Sequence, residues 1–109
     1  MISLLIQKQE APLISGALMQ AKWTRKALIN LNDAIEYIAG DNPTAARKVA
    51  QLVWDSSQLL ALQPYVGRPG RVQGTRELIV SNLPYILPYI QKGNTIYILR
   101  VMHTMVWPG

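Results

Sequence analysis

The sequence predicts an α+β fold made of an N-terminal strand, an antiparallel helix hairpin and a three-stranded antiparallel meander. Apolar residues recur at spacings of three and four between residues 25 and 62, which is typical of amphipathic helices. Three short runs rich in Ile, Val, Leu and Tyr follow between residues 77 and 102, as in β-strands. With 109 residues, half of them hydrophobic, the chain can form one domain with a core. We expect the hairpin to cover one face of the sheet.

The chain divides into an N-terminal arm or start-site extension of residues 1–18 and a folded domain of residues 19–109. The arm opens with the apolar run Ile2–Ile6, which is too short for a secretory signal and has no basic region before it. No apolar stretch is long enough to cross a bilayer, so we expect no membrane partner. Either the arm is flexible or Met19 is the biological start. A short strand is predicted from Met19 to Thr24.

The first helix is predicted to begin after Thr24 and to end near Ala39. Thr24 suits the N-cap because its hydroxyl can accept a hydrogen bond from an N–H group of the first turn. Gly40 is the expected stop. Tyr37 of this helix and Trp54 of the next are expected to pack at the margins of the hairpin. The apolar stripe consists of Leu28, Leu31, Ile35 and Ile38.

The second helix is predicted to run from Pro43 to Leu62. Asn42 is the expected cap, and Pro43 occupies the first helical position, where its missing N–H costs nothing. Pro64 ends the run. Because so few residues connect the two helices, they should form an antiparallel hairpin. The expected buried side consists of Ala46, Val49, Ala50, Val53, Ser57 and Leu60.

Three strands are predicted after the helices, at Glu77–Ser81, Tyr85–Ile90 and Thr95–Met102. The dipeptide Gly93-Asn94 suits a two-residue hairpin turn between the last two strands. Pro88 falls inside a strand, where it removes one donor from the hydrogen-bond ladder. We therefore expect a bulge at Pro88 or an edge position for its backbone nitrogen.

The charge of the chain is concentrated in its C-terminal part. The formal net charge is +5, and residues 66–109 contribute +4 of it, since they hold five cationic side chains and one carboxylate. A basic face favours an anionic partner, either nucleic acid or an acidic protein surface, although it can also simply keep the protein soluble. The absence of cysteine excludes disulfides and thiolate metal sites, and a single His argues against a zinc site. We expect no cofactor and no metal, in a reducing cytoplasm.

A loop rich in Gly, Pro and Arg, residues 67–75, is the most informative local feature. Pro69 stiffens the segment between Arg68 and Arg71. Two interpretations are open for these arginines and for Arg76 just beyond the loop. Arg76 either fixes the loop to the core, or the arginines bind a partner.

Four motifs in this order resemble the RelE/ParE superfamily of toxins, and more closely its ParE branch. They are W-T-x-x-A-L from Trp23, I-x-Y-I-A-x-D-N-P from Ile35, G-R-P-G-R-V-x-G-T-R-E-L from Gly67, and L-R-V-M-H from Leu99 with W-P at Trp107. The resemblance covers residues 19–108. It implies the α+β fold already predicted from periodicity.

The resemblance implies the growth-inhibiting toxin of a bacterial type II toxin–antitoxin module, of the kind that stabilises plasmids. Such toxins are cytoplasmic and are silenced by a cognate antitoxin, whose C-terminal segment wraps the helices and sheet. DNA is reached only indirectly, through the antitoxin. RelE-type members enter the ribosomal A site and cleave mRNA, whereas ParE-type members bind and poison DNA gyrase without recognised catalytic residues. Our leading hypothesis is a gyrase inhibitor; the alternatives are a ribosome-dependent endoribonuclease and a non-toxic antitoxin-binding relic.

RNA cleavage through the 2′-hydroxyl requires a base, an acid and cations that stabilise the phosphate. If the chain is an enzyme, the candidates are Arg71, Arg76 and His103, because an imidazole exchanges protons near neutral pH. ParE-type chains also end in a His followed closely by Trp-Pro, so His103 does not discriminate. Arg76 and Glu77 are adjacent on a strand and should face opposite sides of the sheet.

Two departures from the family pattern argue against an enzyme. Many relatives of both branches carry an Arg in the strand that here reads Tyr85–Tyr89. The segment between His103 and Trp107, which in relatives is usually basic or polar and slightly longer, is uncharged here. For a nuclease, the missing Arg means the loss of a phosphate clamp. We therefore expect a binding surface for the target or the antitoxin, formed by Arg68, Arg71, Arg76, Arg100, His103 and Trp107.

Overall fold

The computed structural model describes residues 19–104, and these residues form the predicted α+β fold. The arm of residues 1–18 and Trp107 lie outside the described residues. The elements are β1 (Gln20–Trp23), α1 (Arg25–Asp41), α2 (Pro43–Leu62), β2 (Arg68–Pro69), β3 (Arg76–Ile79), β4 (Tyr85–Lys92), β5 (Thr95–Ile98) and β6 (Met102–His103).

The meander of β3, β4 and β5 forms the centre of the sheet, as predicted. The strand order is β1-β5-β4-β3-β2, and β6 also pairs with β4. All pairs are antiparallel except β1 with β5, which is parallel. The turn at Gly93 joins β4 to β5 as predicted, and its φ of +59° is a left-handed conformation that favours glycine.

The caps predicted for both helices are confirmed. The Thr24 hydroxyl accepts from the Ala27 N–H at 3.2 Å and donates to the Ile98 carbonyl at 2.8 Å, which fixes the start of α1 to the end of β5. Asn42 Oδ1 accepts from the Ala45 N–H at 3.0 Å at the start of α2. Because Asn42 alone connects the helices, they pack against each other as a hairpin.

The expected stop at Gly40 is wrong, since α1 continues through Gly40 to Asp41. The break occurs at Asn42, whose extended backbone (φ −152°, ψ 91°) ends one helix and caps the next. The N–H of Asn42 still donates to the Ile38 carbonyl at 2.9 Å. A cap with this double role leaves no need for a left-handed glycine.

The core lies between the helix hairpin and one face of the sheet. Leu31 and Val53 of the helices are buried there, together with Leu87 and Ile98 of the sheet. Trp54 stacks on Trp23 at the margin, with ring centroids 6.5 Å apart, as expected. The same expectation is wrong for Tyr37, whose side chain is 85% exposed and faces away from the sheet.

The last predicted strand is divided in two by a bulge. Ile98 pairs with Tyr89, but Met102 pairs with Ile86, so four steps along β5–β6 match three steps along β4. One residue is therefore extra on this strand. The third strand, predicted to be continuous over Thr95–Met102, stops at Ile98 for this reason.

The bulge lies opposite Pro88, on the partner strand. The Leu99 N–H donates to the Pro88 carbonyl at 2.8 Å, and Pro88 has no N–H with which to return the bond. The Leu99 carbonyl instead lies 3.3 Å from the Thr24 hydroxyl, and the Val101 N–H donates to Asn30 Oδ1 at 3.2 Å. Helix α1 and its cap thus satisfy backbone groups that the ladder leaves unpaired. The expectation of a bulge is met one strand away from the proline itself.

No helix in residues 19–104 has the length and apolar character needed to cross a lipid bilayer.

Candidate functional site

Glu77 holds the loop of residues 67–75 against the sheet. Its carboxylate is only 3% exposed, and Oε1 accepts from Arg68 Nε at 3.2 Å and lies 3.1 Å from Arg68 Nη2. Its other oxygen accepts from the backbone N–H of Arg71 at 3.3 Å. A buried carboxylate requires such partners, because desolvation of an unpaired charge is costly. Arg68 and the Arg71 backbone therefore have structural contacts at this site.

Arg76 extends to the other side of the sheet from Glu77, as strand alternation requires. Its Nη1 donates to the Gly67 carbonyl at 2.8 Å, and its guanidinium carbon lies 5.3 Å from the centre of the Tyr65 ring. The two contacts hold the guanidinium in one place near the end of α2. The sequence-based interpretation in which Arg76 fixes the loop to the core thus has a direct structural basis.

Tyr89 completes this anchor from β4. Its hydroxyl accepts from the Gly67 N–H at 3.0 Å and donates to the Pro64 carbonyl at 2.8 Å. A Cβ on residue 67 would lie 2.6 Å from this hydroxyl and 2.9 Å from the Glu77 carbonyl oxygen, so only glycine fits. Burial raises the pKa of the Tyr89 phenol, while the Gly67 N–H and the Arg76 charge oppose the rise. The phenol thus stays protonated and joins loop to sheet.

The opposite face of the central strands is largely apolar. Register pairs Ile79 with Ile86 and Glu77 with Pro88 on this face. Ile86 is 3% exposed and Pro88 is buried. Between Tyr85 and Tyr89 the strand has no charged side chain. The one ionisable group in these pairs, Glu77, is bound to Arg68.

His103 lies at the other end of β4. It pairs with Tyr85, and the two rings meet edge to face with centroids 5.3 Å apart. Burial raises the pKa of the Tyr85 phenol. Arg100 is exposed in the bulge between β5 and β6. His103 therefore lies beside the uncharged Tyr85 ring, at the start of β4.

The candidate catalytic residues do not form one cluster. Arg76 pairs with Tyr89 and His103 pairs with Tyr85, so their positions are four steps apart along β4. At a rise of about 3.3 Å per residue this is about 13 Å, whereas a base and a cation acting on one phosphate must both reach it by hydrogen bonds. Arg71 is exposed on the loop between β2 and β3. This loop leads into Arg76, whereas His103 lies on β6.

Sequence reasoning missed the aromatic half of the site, Tyr65 and Tyr89. Tyr89 was part of a predicted strand, but its role depends on the loop that approaches it. Tyr65 lies in the connection after α2, for which no pattern predicts a partner. The sequence separations between Tyr65 and Arg76 and between Tyr89 and Pro64 match no helix or strand period, so they do not predict these contacts. Among the described residues, no three acidic or His side chains lie close enough to hold a metal ion.

Comparisons with known proteins agree on one family. Residues 21–105 match the model described as "ParE toxin of type II toxin-antitoxin system, parDE". The chain is 41% identical over 88 residues to "Putative toxin Y4kP" of Sinorhizobium fredii, which covers 80% of this chain and 91% of that protein. It is 32% identical over 84 residues to "Toxin RelE2" of Caulobacter vibrioides, covering 77% of this chain and 93% of that protein.

A solved structure has the same fold. A chain from the chromosomal ParDE TA system of P. aeruginosa superimposes with a TM-score of 0.74 and 31% identity. The match covers 81% of this chain and 98% of the other. The similarity therefore extends over the helix hairpin and the sheet together.

Proposed function

The chain belongs to the ParE family of toxins of type II toxin–antitoxin systems, and from this we propose that it acts by binding, as an inhibitor of DNA gyrase that a cognate antitoxin neutralises. The toxin acts in the bacterial cytoplasm and reaches DNA only indirectly, through the antitoxin. We further propose that the toxin domain comprises residues 19–109 and that residues 1–18 are an N-terminal arm or a start-site extension.

The observation that carries this proposal is the separation of the residues that RNA cleavage would need. Arg76 is bound to Gly67 and Tyr65, Arg68 is bound to Glu77, and His103 contacts Tyr85 about 13 Å away along β4. A nuclease places its acid, base and cations around one phosphate. This arrangement favours a protein-binding surface over a catalytic centre.

An antitoxin partner is supported by the similarity to a chain of the ParDE TA system of P. aeruginosa. The basic character of residues 66–109 suits an acidic partner. We assign the antitoxin or target contacts to Arg68, Arg71, Arg76, Arg100, His103 and Trp107.

A ribosome-dependent endoribonuclease is the second candidate, because the chain is also similar to the toxin RelE2 of Caulobacter vibrioides. In that case Arg71, Arg76 and His103 act on mRNA in the ribosome. A further alternative is a folded, non-toxic antitoxin binder, which the uncharged residues 104–106 would suit.

The test uses the purified chain in two assays run side by side. We expect it to inhibit supercoiling by purified DNA gyrase and to leave mRNA intact in a reconstituted translation system. Cleaved mRNA with unaffected supercoiling would instead establish the endoribonuclease. Inactivity in both assays, from a folded sample, would favour the non-toxic binder. The variant His103→Ala adds a control. If this variant keeps the activity of the parent chain in the same assays, His103 is excluded as an essential acid or base.

A further inference from the structure

A pocket opens beside Arg76, where the end of α2, the loop and the central strands meet. It encloses about 300 Å³ of space that is open to solvent. Its lining consists of Pro64, Gly74, Arg76, Tyr89, Ile90 and Gln91. The pocket thus has one cation, one phenol and one amide among apolar and backbone groups.

Arg76 is already held in a fixed orientation in this pocket. Nη1 donates to the Gly67 carbonyl, and the Tyr65 ring supports the guanidinium plane at 5.3 Å. Within residues 19–104, the Nε and Nη2 groups of Arg76 have no acceptor. A guanidinium has five N–H donors and binds a carboxylate through two of them in parallel. Because the orientation is set before binding, little side-chain entropy is lost when a ligand arrives.

The charge of Arg76 is not neutralised by its neighbours. The sole acidic residue between residues 64 and 104 is Glu77, and its carboxylate is bound to Arg68 and to the loop backbone. Tyr89, the other ionisable group in the pocket, is kept protonated by burial. A ligand for this pocket therefore brings a negative charge.

Exposed apolar side chains lie close in the chain to Pro64, which lines the pocket, and one of them, Tyr65, contacts Arg76. Leu62, Tyr65 and Val66, at and just after the end of α2, are 73%, 70% and 46% exposed. An exposed Tyr beside an Arg with free donor groups is a pair of residue types that is enriched at the energetic centres of protein interfaces. A phosphodiester backbone gains nothing from such apolar side chains, whereas a peptide segment with apolar residues does.

We propose that the Arg76 pocket binds the carboxylate of a Glu or Asp in a peptide segment of the antitoxin, with apolar residues of the same segment covering Leu62, Tyr65 and Val66. This inference rests on the proposed function only in naming the antitoxin as the partner. It assigns to Arg76 a recognition role in addition to its contact with Gly67.

The test measures binding of short peptides to the full chain, without gyrase or ribosomes. The probes are the peptide acetyl-Leu-Glu-Leu-amide, its Gln counterpart, and oligouridine. Side-chain ¹⁵N NMR signals of the arginines report which guanidinium is contacted. We expect the Glu peptide to bind at least tenfold more tightly than the Gln peptide and to shift the Arg76 signal.

Two variants identify the source of this preference. Arg76→Gln should abolish it, because Gln cannot form a charged bidentate contact. Arg47→Gln is the matched control, since it removes one positive charge from an exposed helix position, where Nη2 donates to the Thr44 hydroxyl of the same helix at 3.4 Å. This control should keep the preference. If Arg76→Gln does not fold, Arg76→Lys serves instead, and should reduce the preference at least threefold while keeping the charge.

Equal binding of the two peptides, or a shift confined to other arginines, would overturn the proposal. Tighter binding of oligouridine than of the Glu peptide, lost in Arg76→Gln, would assign the pocket to nucleic acid. Failure here is distinct from failure of the proposed function, because peptide binding is measured without any toxin target.

Discussion

At the scale of single residues, Tyr89 and Gly67 show how a loop without regular structure is held in place. The Tyr89 hydroxyl joins Pro64 and Gly67, on either side of Tyr65, to the central strand. Gly67 lets the backbone approach the phenol more closely than any Cβ allows. The position of Arg76 depends on the same glycine, since its carbonyl accepts from Nη1. One phenol thus fixes both the loop and the cation of the pocket.

Tyr89→Phe removes both hydrogen bonds and keeps the ring. We expect the free energy of unfolding to fall by about 1–3 kcal/mol, because the Gly67 N–H and the Pro64 carbonyl are left unpaired in a buried place. Urea unfolding followed by circular dichroism measures this. Tyr97→Phe, at a half-buried position with no side-chain hydrogen bond among the described residues, is the control. Equal midpoints for the two variants would contradict the anchoring role.

The two buried phenols also predict how stability depends on pH. Burial raises the pKa of Tyr85 and Tyr89 above the value of an unfolded Tyr, which is about 10. Above that pH the unfolded chain loses protons that the folded chain keeps, so the free energy of unfolding decreases as pH rises through the folded pKa values. Urea titrations between pH 8 and 12 should show this decrease.

Tyr85→Phe should make the alkaline decrease shallower, since it removes one of the two raised phenols. Tyr37→Phe, at an 85% exposed position, should follow the parent chain. A decrease of the same steepness in Tyr85→Phe and in the parent would show that this phenol is not protected by the fold.

At the scale of elements, connections between helices and strands depend on side chains that take over backbone hydrogen bonds. Asn42 ends α1 and starts α2 through its own backbone and side chain. Thr24 and Asn30 of the first helix satisfy groups freed by the bulge opposite Pro88. The hairpin and the sheet are therefore coupled through the N-terminal half of α1 and its cap.

Two glycine substitutions separate helix propensity from turn geometry. Gly40→Ala should stabilise the chain by about 0.5–1 kcal/mol, because Gly40 lies inside α1 and a Cβ there meets no atom within 4 Å. Gly93→Ala should destabilise it by about 1–2 kcal/mol, because the φ of +59° is strained for alanine although the space is open. Thermal unfolding of both variants gives the comparison. A stabilising Gly93→Ala would refute the turn geometry.

At the scale of the whole molecule, the positive charge is a property of a surface and contributes little to the fold. In the ion pair between Arg68 and Glu77, the Arg68 side chain is 49% exposed and the Glu77 side chain is buried. Arg68 is thus an exception, because its charge offsets that of the buried Glu77 carboxylate. The positive charges of Arg76, Lys92 and Arg100 can attract an anionic partner from a distance.

Salt should separate these two roles. Between 0.1 M and 1 M NaCl the screening length falls from about 10 Å to about 3 Å. We expect the affinity for acetyl-Leu-Glu-Leu-amide to weaken several-fold, while the free energy of unfolding changes by less than about 1 kcal/mol. Calorimetric titration measures the affinity and urea unfolding measures the free energy of unfolding, each at both salt concentrations. Salt-independent affinity would mean that Arg76 does not contact the carboxylate.

The sequence by itself determined the elements, because their signals are local. Apolar spacing defined both helices, Thr24 and Asn42 defined their caps, and Gly93-Asn94 defined the turn of the meander. The errors at Gly40 and Tyr37 were also local. At Gly40, the Asn42 cap ends the helix without a left-handed glycine, and at Tyr37 the side chain at the margin of the apolar stripe is exposed to solvent. The motifs of the chain identified the family without any geometry.

Only the tertiary structure decided the site. Arg76 meets Tyr65 and Gly67 because the connection after α2 returns to the edge of β3, and no spacing in the sequence encodes that approach. The distance between Arg76 and His103 follows from strand register, which depends on pairing across the sheet. Residue types allow a given chemistry, but the site forms only where long-range packing brings their atoms together. Here packing brings Arg76, Tyr65 and Tyr89 together near the end of α2.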